Sequence, residues 1–452
     1  MAKGKEKEVL MMEERLQAVL VPESEQQYRV PGNWCWTRIR NINQYSSYSI
    51  DPSKQPNEKF ELYSVPSSAD DYPEILSGAE IGSVKQTVEK DDVLLCKINP
   101  RINRVWKVSK YTDNILLASS EWIVIRNSCF YSDYLMRCFQ SSYFREFMLS
   151  NVSGVGGSLM RAQPKYVQEY PVPIPPLSEQ QRIVDRIESL FAKLDEAKQK
   201  AQDALNSFEA RKAAVLQKAF TGELTAKWRE EHGVGIECWK TRTVEELCHS
   251  LKYGTAKKSQ SKGKMAVIRM GNLQQGEIDW SDLVYSDDEE DIEKYQLLPG
   301  DVLFNRTNSS ALVGKTSIYR GDLPAIYAGY LIKLDYDRSR IIGDYLNYAL
   351  NTLEAKEYCN AVKTDGVNQS NINAKKIGAY CFGVPMLMEQ TEIVRILDHL
   401  FRKEQQAKET AEEVLQQIDL IKKSILVRAF RGELGTNDPS EDSSLELIKQ
   451  IL

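Results

Sequence analysis

The sequence predicts a mixed α/β fold of the α+β class, built twice over: two globular units separated by a pair of long antiparallel coiled-coil helices with pseudo-two-fold symmetry. Three observations predict it: an ungapped internal repeat, an apolar seam along each copy of that repeat, and short strand-like runs in the stretches before it. Residues 179–224 align on residues 389–434 at an offset of 210, with 18 identities in 46 positions, among them Glu179/Glu389, Gln180/Gln390, Val184/Val394 and Gly222/Gly432. Self-similarity at a fixed offset marks a duplicated architecture. A chain of 452 residues is also too long for a single core.

Taken in chain order, residues 1–30 read as an N-terminal helical segment. A basic start gives way to an amphipathic pattern carrying Glu13 and Glu14, where a signal peptide would need an apolar run. Residues 31–176 form the first globular unit, and residues 226–386 the second with its linker. In both, runs such as DVLLCKI, EWIVIRN, AVIRM and DVLFNRT alternate with Gly, Asn, Ser and Pro turns. Helical stretches follow over Asp133–Leu149 and Asp344–Lys363. The two units also match weakly: Trp34, Ile39 and Ile42 recur as Trp239, Val244 and Leu247, Asp92–Leu95 as Asp301–Phe304, and Gly156 and Lys165 as Gly366 and Lys375.

Residues 177–225 and 387–432 are the helical spacers, and 433–452 an acidic C-terminal tail. In the first spacer apolar or small residues recur in 4-3 steps from Ile183 through Ile187, Leu190, Leu194, Ala197, Ala201 and Leu205 to Phe208, the pattern of a coiled-coil seam. Pro175 and Pro176 stop the preceding segment, Ser178 can cap the helix, and Gly222 ends it. About 43 residues rising 1.5 Å each make a rod of roughly 64 Å. Helix pairing is assigned to Ile183, Ile187, Leu190 and Phe191 in one rod and to Ile393, Leu397, Leu400 and Phe401 in the other. Glu404 departs from the pattern, standing where the first rod has Leu194. Matching seams pair around a two-fold axis, which sets the rods antiparallel with one globular unit near each end.

A formal charge of -5 and a pI near 5.6 do not announce a nucleic-acid binder. The local distribution does better. Lys97–Lys110 carries five basic residues and no acid, and Lys252–Arg269 carries six and no acid, while acids cluster in Asp287–Glu293 and after Gly432. The eight cysteines and three histidines show no CxxC or HxxxH spacing, which argues against zinc and against a disulfide framework. No window approaches the roughly 18 apolar residues of a membrane span, so a cytoplasmic protein without membrane contact is expected.

PIPPLSEQQRIVDRIESLF (Pro173–Phe191), AVLQKAFTGELT (Ala214–Thr225), VPMLMEQTEIVRILDHLF (Val384–Phe401), VIRMGNLQQGEID and GDVLFNRTNSSALVGK together resemble the specificity subunits of type I restriction-modification systems, and the terminal segments match as well. The resemblance covers nearly the whole chain. It implies that the globular units are target-recognition domains, each reading half of a split double-stranded DNA site, and that each end docks a modification subunit, two in all. It also implies that restriction subunits join the full complex. No cofactor is expected on this chain, because S-adenosylmethionine would belong to the modification subunits.

The DNA-reading candidates follow the matched Asp-Val-Leu strands: Lys97, Asn99, Arg101, Asn103, Arg104 and Lys107 in the first unit, and Asn305, Arg306, Thr307, Asn308, Ser309, Ser310 and Lys315 in the second. Arg can bond guanine O6 and N7, Asn or Gln can bond adenine N6 and N7, and Lys or Ser can hold phosphates. A second pair of loops offers Arg161 and Gln163, and Asn368, Gln369 and Asn371. The basic loop with Lys257, Lys258, Lys262 and Lys264 suits non-specific phosphate attraction.

No catalytic site is expected. LVGKTS (Leu312–Ser317) resembles the end of a phosphate-binding loop, but Ser309 occupies the place of its first glycine. INPR (Ile98–Arg101) lacks the second proline of an adenine methyltransferase motif and reads as a turn. The alternative to a specificity subunit is a scaffold whose coiled coil joins two domains that bind ligands other than DNA.

Overall fold

Alternation decides where each repeat keeps its core. In the strand Val93–Cys96, Val93 and Leu95 face a cluster of helices while Leu94 and Cys96 face a second sheet, so all four are buried. Its counterpart Val302–Asn305 does the same, with Val302 and Phe304 turned to helices and Leu303 to the other sheet. The computed structural model describes residues 12–150, 152–153, 160–367 and 369–452. The chain divides into two compact units, residues 1–201 with 413–452, and residues 202–412.

In the first unit Cys35–Arg38 pairs antiparallel with Pro171–Ile174, and Val93–Cys96 lies between Val105–Lys107 and Trp122–Ile125. A five-stranded sheet runs Ser49–Ile50, Lys85–Thr87, Ile115–Ala118, Lys59–Tyr63, Glu74–Ser77. In the second unit Lys240–Thr243 pairs antiparallel with Cys381–Val384, and Val302–Asn305 lies between Leu331–Tyr336 and Thr316–Ile318. Strand and helix mix in both units, as the sequence predicts. Among the described residues no helix is long and apolar enough to cross a membrane.

Each expected helical stretch after the sheets is two helices, Ser132–Phe139 with Ser142–Ser150, and Gly343–Ala349 with Leu353–Val362. A hydroxyl restarts the chain each time: Thr352 Oγ1 accepts from Ala355 N at 3.2 Å, and Ser141 Oγ from Phe144 N at 3.4 Å.

The first spacer is likewise not one rod. It runs as Leu177–Asn206 and Phe208–Phe220, interrupted at Ser207, whose hydroxyl donates back to Asp203 O at 2.9 Å and Ala204 O at 3.1 Å. The second, Leu387–Phe430, is an unbroken helix of 44 residues. Gly222 and Gly432 end them in the left-handed region at φ 82° and 74°. Helices run antiparallel inside each unit. In the first, Ile183 and Ile187 pack in one core with Ile425, Leu426 and Phe430, Leu190 and Phe191 lie at its edge, and Asp195 meets Lys422 at 2.5 Å. In the second, Ile393 and Leu397 pack with Leu216 and Ala219, Phe401 borders them, and Leu400 is half-buried outside that cluster. Glu404 is accommodated by Arg211, 2.7 Å away, so an ion pair fills the layer that Leu194 fills in the first copy.

The repeated Glu-Gln at the start of each spacer is buried and binds its own unit together. Glu179 accepts from Trp34 Nε1 at 2.7 Å and Asn437 Nδ2 at 2.9 Å; Glu389 accepts from Trp239 Nε1 at 3.0 Å, Thr225 Oγ1 at 2.7 Å and Arg229 Nη1 at 2.6 Å. Gln180 accepts from Tyr131 N and Gln390 from Ile342 N, both at 2.9 Å. Buried polar groups need such partners. The C-terminal stretch is not a free acidic tail. Leu445–Ile451 is a helix, Ile448 is in the first core, and Glu441 bonds Arg182 at 2.7 Å.

Candidate nucleic-acid interface

Each unit joins two segments that the sequence offers as separate candidate loops. In the second unit Thr307–Asn308, just past the central strand, pairs antiparallel with Ser370–Asn371. In the first, Ile98 bridges Arg161 in the same sense. The backbone hydrogen bonds correspond one to one. Ala162 N donates to Lys97 O at 2.8 Å as Ile372 N donates to Arg306 O at 2.9 Å, and Lys97 N donates to Glu121 O at 2.9 Å as Arg306 N donates to Tyr330 O at 3.0 Å. Lys97, Glu121 and Arg161 therefore stand where Arg306, Tyr330 and Asn371 stand in the other unit.

In the second unit the Arg306 guanidinium lies 4.8 Å from the Tyr253 ring centroid and donates to Gly329 O at 3.2 Å and Asn371 Oδ1 at 3.3 Å. Asn371 Nδ2 donates to Thr307 Oγ1 at 2.8 Å. Beside them opens a cleft of about 610 Å³ lined by Arg306, Thr307, Arg269, Lys257, Lys258 and Tyr330, the last of these 49% exposed. Asn308 is half-buried, and Ser309, Ser310 and Gln369 are exposed at the same mini-sheet. Asn368 lies outside the described residues, as does Gly156.

In the first unit the turn is built on Asn99 and Asn103, both left-handed at φ 47° and 54°, with Ile102 N donating to Asn99 O at 3.1 Å, so INPR is indeed a turn. Arg101 projects exposed from it, and Lys97, Arg104 and Gln163 are half-buried. The Arg161 side chain, 55% exposed, donates through Nη1 to both oxygens of Glu121 at 2.7 and 2.9 Å.

Several candidates are corrected. Asn305 is fully buried, so no base can reach it. Asn103 is committed to the fold, donating from Nδ2 to Phe139 O at 2.9 Å. Lys107 is paired with Asp133 at 2.6 Å, both side chains less than a quarter exposed, which gives it a structural role. Lys315 bonds Gln274 at 2.8 Å and lines a different cavity, with Lys212 and Lys356. Lys257 folds onto the acidic stretch that seemed remote in sequence, 2.8 Å from Asp288 and 3.4 Å from Asp291, and the bond to Asp288 holds its ammonium above the usual lysine range. Lys264 pairs with Glu289 at 3.2 Å, leaving Lys258 and Lys262 as exposed amines of that loop. LVGKTS runs into the strand Thr316–Ile318, whereas a phosphate-binding loop needs a helix there.

Sequence reasoning missed Glu121 and Tyr330. The signal was present: each directly precedes a strand of the central sheet, Trp122–Ile125 or Leu331–Tyr336, at nearly the repeat offset.

The family model for the type I restriction modification DNA specificity domain matches residues 102–206 and 236–416, well over half of the chain. The chain belongs to this type I specificity family. It is 28% identical over 318 residues to the StySPI specificity subunit of Salmonella potsdam, covering 69% of this chain and 68% of that one. It is 27% identical over 324 residues to the EcoKI specificity subunit of Escherichia coli strain K12, covering 70% and 68%. The fold is shared with the HsdS subunit from Thermoanaerobacter tengcongensis, at TM-score 0.67 and 21% identity over 91% of this chain and 100% of that one. A chain from a structure on complex assembly and conformational transition of the type I R-M system gives TM-score 0.69 and 20% identity over 90% and 100%. The type I specificity family, not the scaffold alternative, is what these matches support.

Proposed function

We propose that this chain is the non-catalytic, DNA-reading subunit of a type I restriction-modification complex. Each unit reads one half of a split double-stranded site, and the chain docks two modification subunits. Methyl transfer belongs to those subunits, which bind S-adenosylmethionine themselves, and restriction subunits join in turn. The observation that carries the reading is the one-to-one match of the two mini-sheets, which places polar and charged side chains at equivalent points of both units. Arg, Asn, Gln and Tyr at such an edge suit base contacts, and Lys suits phosphates.

The test is footprinting of the chain with its modification subunit on a library of split sites. Protection of two separated short sequences is expected. Protection of any sequence equally, or of none, would remove the reading.

A further inference from the structure

Resting on the reading that each unit contacts one half-site, the matched triads allow a statement about which base pairs they accept. They occupy the same backbone positions, yet their chemistry differs: Lys97, Glu121 and Arg161 in one unit, Arg306, Tyr330 and Asn371 in the other.

We propose that the triads set specificity at one equivalent base pair of each half-site, Arg161 with Glu121 accepting G·C and Asn371 with Tyr330 accepting A·T. Arg161 offers only donors and Glu121 only acceptors, held together at 2.7 and 2.9 Å. In the major groove a G·C pair presents the acceptors O6 and N7 and then the cytosine amino donor, which is the complement of that pair. An A·T pair places an adenine amino group against arginine and thymine O4 against the carboxylate, and both contacts repel.

Asn371 carries one donor set and one acceptor on a single amide. One Nδ2 hydrogen goes to Thr307 Oγ1, and Oδ1 accepts from Arg306. One N–H and one oxygen lone pair remain, with the amide flip fixed by those two bonds. Adenine N7 and the N6 amino group need that combination, and the exposed Tyr330 ring offers apolar contact to the thymine methyl. Arg306, donating to Gly329 O and to Asn371 Oδ1, is a positioning residue for this amide.

The experiment reads methylated sites by sequencing, using the complete complex with modification subunits. The exchange Glu121→Tyr with Arg161→Asn, made together with Lys97→Arg and Ile98→Thr so that the new amide finds the partners Asn371 has, should convert one G·C requirement of the first half-site to A·T, leaving the second half-site unchanged. The reciprocal exchange Tyr330→Glu with Asn371→Arg should do the converse. Single changes guard against misfolding of the exchanged chains. Arg161→Lys, which keeps the charge and loses the fork, should relax one position of the first half-site roughly 5- to 150-fold, and Asn371→Asp should relax one position of the second. Methylation of an unchanged motif by folded, active single variants overturns the triad assignment while the two-domain reading survives. A wild-type complex without a bipartite motif overturns that underlying reading instead.

Discussion

Changing Glu389 to Gln separates a charged lock from a neutral one. Glu389 is 1% exposed and its partner Arg229 has a side chain 10% exposed, with 2.6 Å between them. The variant keeps the shape but leaves the guanidinium buried without a carboxylate, and breaking a buried pair from one side costs about 3–5 kcal/mol. The equivalent change Glu179→Gln meets only neutral donors, Trp34 Nε1, Asn437 Nδ2 and Thr436 Oγ1. The threonine hydroxyl can rotate to accept from the new amide, so about 1 kcal/mol is expected there, the net worth of an ordinary hydrogen bond. Native-state hydrogen exchange resolves the two units. Amides of the second core should exchange roughly 100- to 4,000-fold faster in Glu389→Gln, at a factor of about ten for each 1.4 kcal/mol, and those of the first core about five-fold faster in Glu179→Gln. Equal acceleration in the two variants would refute the argument that Arg229 makes the second lock the costlier one to break.

Arg101→Ala should weaken recognition of the first half-site only, by about 1–3 kcal/mol in competition binding; an equal loss on every sequence would make it a phosphate contact. Lys258→Ala should lower the salt slope of DNA binding by about one, and Lys257→Ala by much less because Asp288 and Asp291 already hold that ammonium. The Glu441 carboxyl is held below the usual glutamate range first by its hydrogen bond from Arg182 and then by that from Ser178. The tie is thus present above the unfolded value of about 4.3 and lost as pH falls through the lower folded one. Limited proteolysis should cut residues 436–444 faster in that acid range, and Glu441→Gln should do the same at neutral pH, while Leu445–Ile451 stays held by Ile448 in the core.

The helices and their pairing were legible because the 210-residue repeat keeps both seams and both Glu-Gln starts in one register. The interruption at Ser207 was not, since it depends on a hydroxyl choosing backbone carbonyls over solvent. Basic residues could be counted in sequence but not weighed. Lys107 and Lys257 find carboxylates 26 and 31 residues or more away, and only the folded chain brings Asp133 and Asp288 to them. The two loops of each unit stand apart in the sequence, and the pairing that unites Thr307 with Asn371 is only two residues long and leaves no periodic trace. Glu121 and Tyr330 escaped because neither belongs to a basic run or a turn motif.

The antiparallel pairing of Cys35–Arg38 with Pro171–Ile174 brings together the two places where the chain crosses into and out of the first reading module. Lys240–Thr243 with Cys381–Val384 does so for the second. Paired strands lie about 4.8 Å apart, so the intervening segment enters and leaves through one two-stranded stem, and in the first module Tyr131 with the helix Ser132–Phe139 ties it to the spacer a second time. An insert grafted between Arg38 and Pro171 would therefore have to supply again the backbone N–H that Gln180 accepts from and the apolar helix face that meets Ile183 and Phe430.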